Sequence, residues 1–129
     1  MSKLTLKENI TNSSIEIIRY DWPDIFYGLK KIEFTEMIKK RLLNRVIEAY
    51  YFGSVATNTF SPRSDVDLIL ITDSARPFIS RPLDFSDLDT LAPRLDILVY
   101  TPNEWKSLCE NTEHRGFWKD VLLSLEKII

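Results

Sequence analysis

The sequence predicts an α/β (α+β) fold in which a small mixed β-sheet is flanked by helices. Runs of β-branched, aromatic and aliphatic residues alternate along the chain with segments in which apolar residues recur at helical spacing. The run Val66–Thr72 is apolar on both of its faces, apart from one acidic residue, which is typical of a central strand. Helices that alternate with strands around a buried strand indicate a sheet covered by helices.

The first half of the chain contains candidates for two helices and a strand. Ser14–Arg19 has strand-like residues, although its assignment stays ambiguous, and Trp22–Lys31 is compatible with a helix that Gly28 would weaken. Apolar residues at helical spacing predict an amphipathic helix over Glu33–Asn44. The β-branched and aromatic residues that follow predict a strand over Val46–Phe52.

The second half of the chain alternates between strands, helices and one proline-containing loop. In chain order, after the central strand, the pattern predicts a loop over Asp73–Asp84, a short helix over Ser86–Leu91, a strand over Leu95–Tyr100, a helix from Pro102 to about Glu110 and an amphipathic helix from Phe117 to Ile128. Thr101 suits the N-cap of the helix that begins at Pro102, because proline is tolerated at the first helical position.

The composition bounds the size and the surroundings of the protein. A length of 129 residues with 44% hydrophobic residues suits one compact domain, so we expect residues 1–129 to fold as a unit. The single cysteine, Cys109, cannot form an internal disulfide, and no stretch resembles a secretory signal or a membrane span. We therefore expect a cytoplasmic protein with no membrane partner.

The charge pattern does not favour nucleic acid as a partner. The net charge of −2 gives no support to a protein that coats nucleic acid. A basic run on the predicted helix, Lys39, Lys40 and Arg41, with Arg45 after it, could contact RNA or phosphate. Such runs are more typical of a solvated helix face.

Two carboxylates lie at the head of the central strand. Because side chains alternate along a strand, Asp65 and Asp67 point the same way and repel each other. A divalent cation relieves such repulsion, and hard oxygen ligands suit Mg²⁺ or Mn²⁺. If the third strand pairs with the second, Asp96 joins the other two at one edge of the sheet. Three carboxylates with open metal positions are what phosphoryl-type transfer needs.

A glycine-serine pair supplies the second half of the predicted site. Gly53 permits a tight turn and a close approach of the backbone. Ser54 then opens a short helical segment whose free amides can hold a phosphate. Ser54 could instead be only a helix cap, and the two roles are compatible.

The run G-S-V-A-T-N-T-F-S-P-R-S-D-V-D-L resembles the G-S-x10-D-x-D signature of the DNA polymerase beta nucleotidyltransferase superfamily, and is most similar to the minimal nucleotidyltransferases. The matching positions are Gly53, Ser54, Ala56, Pro62, Ser64, Asp65, Asp67 and Leu68, with Asp96 as the later third acid. The resemblance covers about residues 45–129. Val55 and Thr57 replace usual arginines, and Arg63 replaces a usual acid. Asn58 stands at a usual glycine, and because asparagine tolerates a left-handed backbone we expect the turn to be retained.

The resemblance implies a polymerase-beta-like nucleotidyltransferase fold and the transfer of a nucleoside monophosphate, AMP from ATP, to an acceptor hydroxyl. It implies that Asp65, Asp67 and Asp96 are catalytic residues that hold Mg²⁺ or Mn²⁺. It also implies that Gly53, Ser54 and Ser64 belong to the nucleotide site, where the first two hold the β- and γ-phosphates. Alternatively, Asp96 could be a structural acid bonded to Arg94.

The acceptor and the partners stay open at this stage. The resemblance implies a helical HEPN-type ribonuclease as a partner, towards which the protein would act as an antitoxin. The alternatives are an enzyme or toxin that modifies RNA ends, and a catalytically silent module that acts by binding. Trp105, Phe117 and Trp118 are more typical of a core or an interface than of base-stacking groups, and they are candidates for a surface that contacts a protein partner or a second copy of the chain.

Overall fold

The computed structural model describes residues 24–111, 113–114 and 116–129. The predicted strand-like segment Ser14–Arg19 therefore lies outside the described residues. The elements in chain order are α1 (Lys31–Leu42), β1 (Glu48–Phe52), α2 (Gly53–Thr57), β2 (Val66–Ile71), a 3₁₀ segment (Phe78–Thr90), β3 (Leu95–Tyr100), α3 (Pro102–Glu110), α4 (Phe117–Leu123) and β4 (Glu126–Lys127). The predicted α+β class is confirmed.

The four strands form one mixed sheet in the order β3-β2-β1-β4. β1 pairs with β2 and with β4 in antiparallel orientation, whereas β2 pairs with β3 in parallel. The register places Phe52 opposite Asp67, and Asp67 opposite Asp96. Since residues paired across strands share a face of the sheet, these three side chains form one row on one face.

Each face of the sheet is covered by a separate apolar cluster. One face packs against α1, whose residues Phe34, Ile38 and Leu42 are fully buried. The other face is covered by α3 and α4, which contribute Trp105 and Val121. The central strand β2 is buried along nearly its whole length, as the sequence predicts. This double covering makes the sheet a rigid support for residues at its ends.

The predicted helix over Trp22–Lys31 is wrong for residues 24–30, and its last residue, Lys31, instead begins α1. Residues 25–28 form a turn in which Tyr27 and Gly28 have φ values of 51° and 85°, which a helix does not allow. The Asp24 carboxylate accepts a 3.1 Å hydrogen bond from the Gly28 amide and closes this turn. The next helix, α1, begins and ends two residues earlier than the predicted Glu33–Asn44.

The predicted C-terminal helix is correct at its start and wrong at its end. α4 ends at Leu123, and the following residues form β4 on the outer edge of β1. The Ile128 amide donates a 2.7 Å hydrogen bond to the Ala49 carbonyl. Pairing with β1 satisfies backbone groups at an open sheet edge and buries Ile128, which a continued helix would not do.

The predicted loop over Asp73–Asp84 and the short helix after it are replaced in part by the 3₁₀ segment. Within that segment Arg81 is buried and donates to both carboxylate oxygens of Glu104, at 2.6 and 3.1 Å, and to the Val99 carbonyl. The ion pair lowers the pKa of Glu104 to about 2. Thr101 is the N-cap of α3, as predicted, and Glu104 completes a capping box with it, so one carboxylate joins the 3₁₀ segment to α3. None of the helices in the described ranges is both long and apolar enough to cross a bilayer.

Candidate active site

The structure brings the three predicted acids together at one end of the sheet. Asp67 lies at the start of β2 and Asp96 at the start of the neighbouring parallel strand β3, while Asp65 immediately precedes β2. One carboxylate oxygen from each residue lies within 4.8 Å of the other two. Asp67 is half-buried, whereas Asp65 and Asp96 are exposed. The cluster therefore opens to solvent on one side and rests on the sheet on the other.

The electrostatics of the cluster disfavour three negative charges. Burial, and then the neighbouring carboxylates of Asp96 and Asp65, raise the pKa of Asp67 to about 6. Both causes act in the same direction, because each makes the ionised form less stable. A divalent cation among the three oxygens would remove the repulsion and compensate the burial, so the donor set fits a hard cation.

Arg94 adds a cation beside the cluster. Its Nε atom lies 3.6 Å from Asp65 Oδ1, and its Nη2 atom donates a 3.1 Å hydrogen bond to the Pro62 carbonyl. Arg94 thus connects Asp65 with the loop that precedes β2. The sequence suggested Arg94 only as an alternative partner of Asp96. Its position beside Asp65 depends on how the strands pair, so the sequence did not predict it.

Gly53 lies directly against Asp67. Its φ of +68° is in the left-handed region, and a methyl group at its Cα would lie 2.5 Å from Asp67 Oδ2. A side chain at this position would displace the Asp67 carboxylate or the turn, so the glycine sets the position of both. The predicted glycine turn and the Asp-x-Asp run therefore pack directly against each other.

The helical segment predicted after Gly53 is present as α2. Ser54 lies half-buried in its first turn, and Asn58 ends it with a φ of 58°. The left-handed conformation expected for an asparagine at the usual glycine position is therefore confirmed. Ser64 lies farther along the loop, where its hydroxyl accepts a 2.9 Å hydrogen bond from the Ser61 amide and shapes the turn before Asp65.

Lys31 is a residue at this site that sequence reasoning missed. Its ammonium donates to the Val55 carbonyl at 2.9 Å, to Asn58 Oδ1 at 2.6 Å and to Glu126 Oε1 at 2.6 Å. These contacts occupy three donors and tie α1, the end of α2 and β4 together. A lysine at the start of an amphipathic helix gives no sequence signal for such a role, because its partners lie far away along the chain.

The remaining basic and aromatic candidates divide between structural and exposed positions. Arg45 makes 2.9 Å contacts with both carboxylate oxygens of Asp87, so it contributes to an ion pair within the fold. Trp105 is buried in the core on the sheet face, so its prediction as a surface residue is wrong. Trp118 is half-buried, and Phe117 is 60% exposed.

Comparison with known families decides the class of the protein. A family model described as a nucleotidyltransferase domain matches residues 31–126 of the 129-residue chain. The chain belongs to this nucleotidyltransferase family. A search of curated proteins found no match.

The match includes all six residues that the sequence assigned to the site, and it begins at α1 rather than at about residue 45. The resemblance to the polymerase-beta-like superfamily, and to its minimal members, is thereby confirmed. Nucleotidyltransferase domains act on nucleoside triphosphates and generally use divalent metals. The close approach of three acids within the matched region is in keeping with that chemistry.

Proposed function

We propose that the protein transfers AMP from ATP to an acceptor hydroxyl, with Asp65, Asp67 and Asp96 as ligands for Mg²⁺ or Mn²⁺. The observation that carries this proposal is the approach of the three carboxylates to within 4.8 Å at the end of the sheet. The raised pKa of Asp67 supports it further, because a half-buried acid between two other acids is destabilising unless a cation compensates it.

The three carboxylates are placed to hold a divalent metal, which would have two roles in the reaction. Asp65 and Asp67 would hold it through carboxylate oxygens on one side, and Asp96 would add a ligand from the neighbouring strand. When bound, the metal neutralises the charge of the triphosphate and of the leaving pyrophosphate and lowers the pKa of the attacking hydroxyl.

The chain's own residues have separate tasks in the proposed reaction. The backbone of Gly53 and Ser54 holds the β- and γ-phosphates, and the loop shaped by Ser64 closes the nucleotide site beside Asp65. The acceptor oxygen forms a bond to the α-phosphorus while the bond to the bridging oxygen of pyrophosphate breaks. Asp96, which is exposed, accepts the proton of the acceptor hydroxyl.

The acceptor that we propose is a protein hydroxyl on a helical HEPN-type ribonuclease. The family resemblance supports this choice, and the exposure of Asp65 and Asp96 supports access by a macromolecular acceptor. A hydroxyl on a flexible side chain of a partner could reach carboxylates that open to solvent. An RNA end could reach the same position, so the experiment must separate the two.

The protein is to be incubated with α-labelled ATP, Mg²⁺, total RNA and a HEPN-type protein that is encoded beside it. We expect the label to appear on the HEPN-type protein. Asp96→Asn should remove the label, because the variant loses both a ligand and the proton acceptor. Asp89→Asn, which removes an exposed carboxylate of the 3₁₀ segment, should retain it.

Label confined to RNA would contradict the protein acceptor and would assign the enzyme to RNA ends. An absence of label while the ribonuclease is still inhibited would contradict transfer altogether. That result would identify a module that acts by binding alone.

A further inference from the structure

Phe117, the first residue of α4, presents an aromatic ring to solvent. The side chain is 60% exposed, although it makes two perpendicular ring contacts. The ring centroids of Phe117 and Phe52 are 6.3 Å apart at an interplanar angle of 88°, and those of Phe117 and Trp118 are 5.5 Å apart at 80°. Such edge-to-face contacts hold the ring in place without covering it.

The position of this ring relates it to the carboxylates. Phe52, which it contacts, lies opposite Asp67 in the β1–β2 register and immediately precedes Gly53. Phe117 therefore lies on the sheet face that carries Asp67 and Asp96, one side chain away from the turn and the acids. The exposed ring of Phe78, in contrast, contacts Tyr100 at the opposite end of β3 from Asp96.

A nucleotide needs more than the groups already assigned to its site. In the proposed site the turn at Gly53 and the three carboxylates would bind phosphates and cations, and none of these groups offers an apolar face to a base. An exposed, fixed aromatic ring beside such groups has the chemistry that binds a base by stacking, which tolerates any base because each has a π-face. This chemistry favours a nucleobase over an apolar protein segment, which would have to lie against the neighbouring carboxylates.

We propose that Phe117 is the platform on which the base of the nucleoside triphosphate stacks. This inference rests on the proposed nucleotide site and deepens it, since it names a residue that recognises the nucleoside and not the phosphates. The nucleoside triphosphate would extend from its phosphates at the turn of Gly53 to its base at the start of α4.

Two ligands separate this role from binding of the phosphates. Binding of Mg-ATP and of Mg-tripolyphosphate, which lacks a nucleoside, is to be measured by calorimetry for the wild type and for Phe117 variants. Phe117→Ala and Phe117→Leu are expected to weaken ATP binding by roughly fivefold to a hundredfold and to leave tripolyphosphate binding unchanged. Phe117→Leu keeps apolar volume against Phe52, so it serves if the alanine variant does not fold.

Two further variants test the specificity of the effect. Phe117→Tyr keeps an aromatic face and is expected to bind ATP as the wild type does. Leu123→Ala, which truncates a side chain that is 78% exposed at the far end of α4, should change neither affinity.

Three results would overturn the assignment. Equal losses for ATP and tripolyphosphate, or no loss for either in Phe117→Leu, would remove Phe117 from base binding while the nucleotide site itself stands. A dimer that dissociates in Phe117→Leu at unchanged ATP affinity would instead assign the ring to an interface between copies. Failure of the wild type to bind either ligand would refute the proposed nucleotide site, and the platform with it.

Discussion

Asp67→Asn is expected to abolish nucleotide transfer and, at the same time, to stabilise the protein in the absence of metal. A lost ligand removes several kcal/mol of transition-state stabilisation, which corresponds to a rate decrease of about 10³-fold or more. The variant also removes a charge that the half-buried position and two neighbouring acids make unfavourable. Transfer from labelled ATP and denaturant unfolding in EDTA measure the two effects.

The stabilising effect of Asp67→Asn should depend on pH in a defined direction. Asp67 has a pKa of about 6 in the folded state, against an ordinary value of 3.8. Between these values the folded protein keeps a proton that the unfolded chain has lost, so the free energy of unfolding falls as pH rises. The variant should therefore exceed the wild type by about 1 to 3 kcal/mol above pH 6, and this advantage should vanish below about pH 4.

Asp89→Asn is the matched control for this prediction. It removes an exposed carboxylate of the same type outside the cluster, and it should change neither transfer nor the pH profile. Full transfer by Asp67→Asn would refute its role as a ligand. Destabilisation of the metal-free variant at pH 7 would instead indicate that the carboxylate supports the fold.

Gly53→Ala is expected to reduce transfer by about 10²-fold or more, because its methyl group would collide with Asp67 Oδ2 at 2.5 Å. The carboxylate or the turn must move to relieve that contact. The left-handed φ of +68° adds a backbone penalty of about 1 to 2 kcal/mol. Steady-state transfer rates and denaturant unfolding separate the two consequences.

Gly28→Ala is the control for the collision. Gly28 also has a positive φ, of +85°, but a methyl group there would meet no atom within 4 Å. We expect both variants to lose backbone stability, and only Gly53→Ala to lose transfer. Equal transfer by the two variants would show that Gly53 does not set the position of Asp67.

The strands and the cluster they carry follow from local sequence patterns. The apolar run of β2 and the run of β3 each define a strand, and the period of two along a strand places Asp65 and Asp67 on one face. The sequence placed Asp96 beside Asp67 only on the condition that β3 pairs with β2, and the structure shows this parallel pairing. The remaining site residues, Gly53, Ser54 and Ser64, were predicted from the family resemblance, which rests on the spacing between the glycine-serine pair and the acids.

The parts that could not be predicted depend on contacts between distant segments. Ile128 continues the helical spacing of α4, yet it leaves the helix because the open edge of β1 offers hydrogen bonds to its backbone. Lys31 forms an ion pair with Glu126, which lies 95 residues later in the chain. Arg94 directly precedes β3 and lies beside Asp65, which directly precedes β2. Periodicity carries no information about such partners.

Binding of Mn²⁺, followed by the electron paramagnetic resonance signal of the bound ion, tests most directly whether the three carboxylates form a metal site. The wild type and Asp89→Asn are expected to bind Mn²⁺ with the same affinity, and Asp67→Asn is expected to bind it at least about tenfold more weakly. Equal Mn²⁺ binding by the wild type and Asp67→Asn would contradict the assignment of the cluster as the metal site.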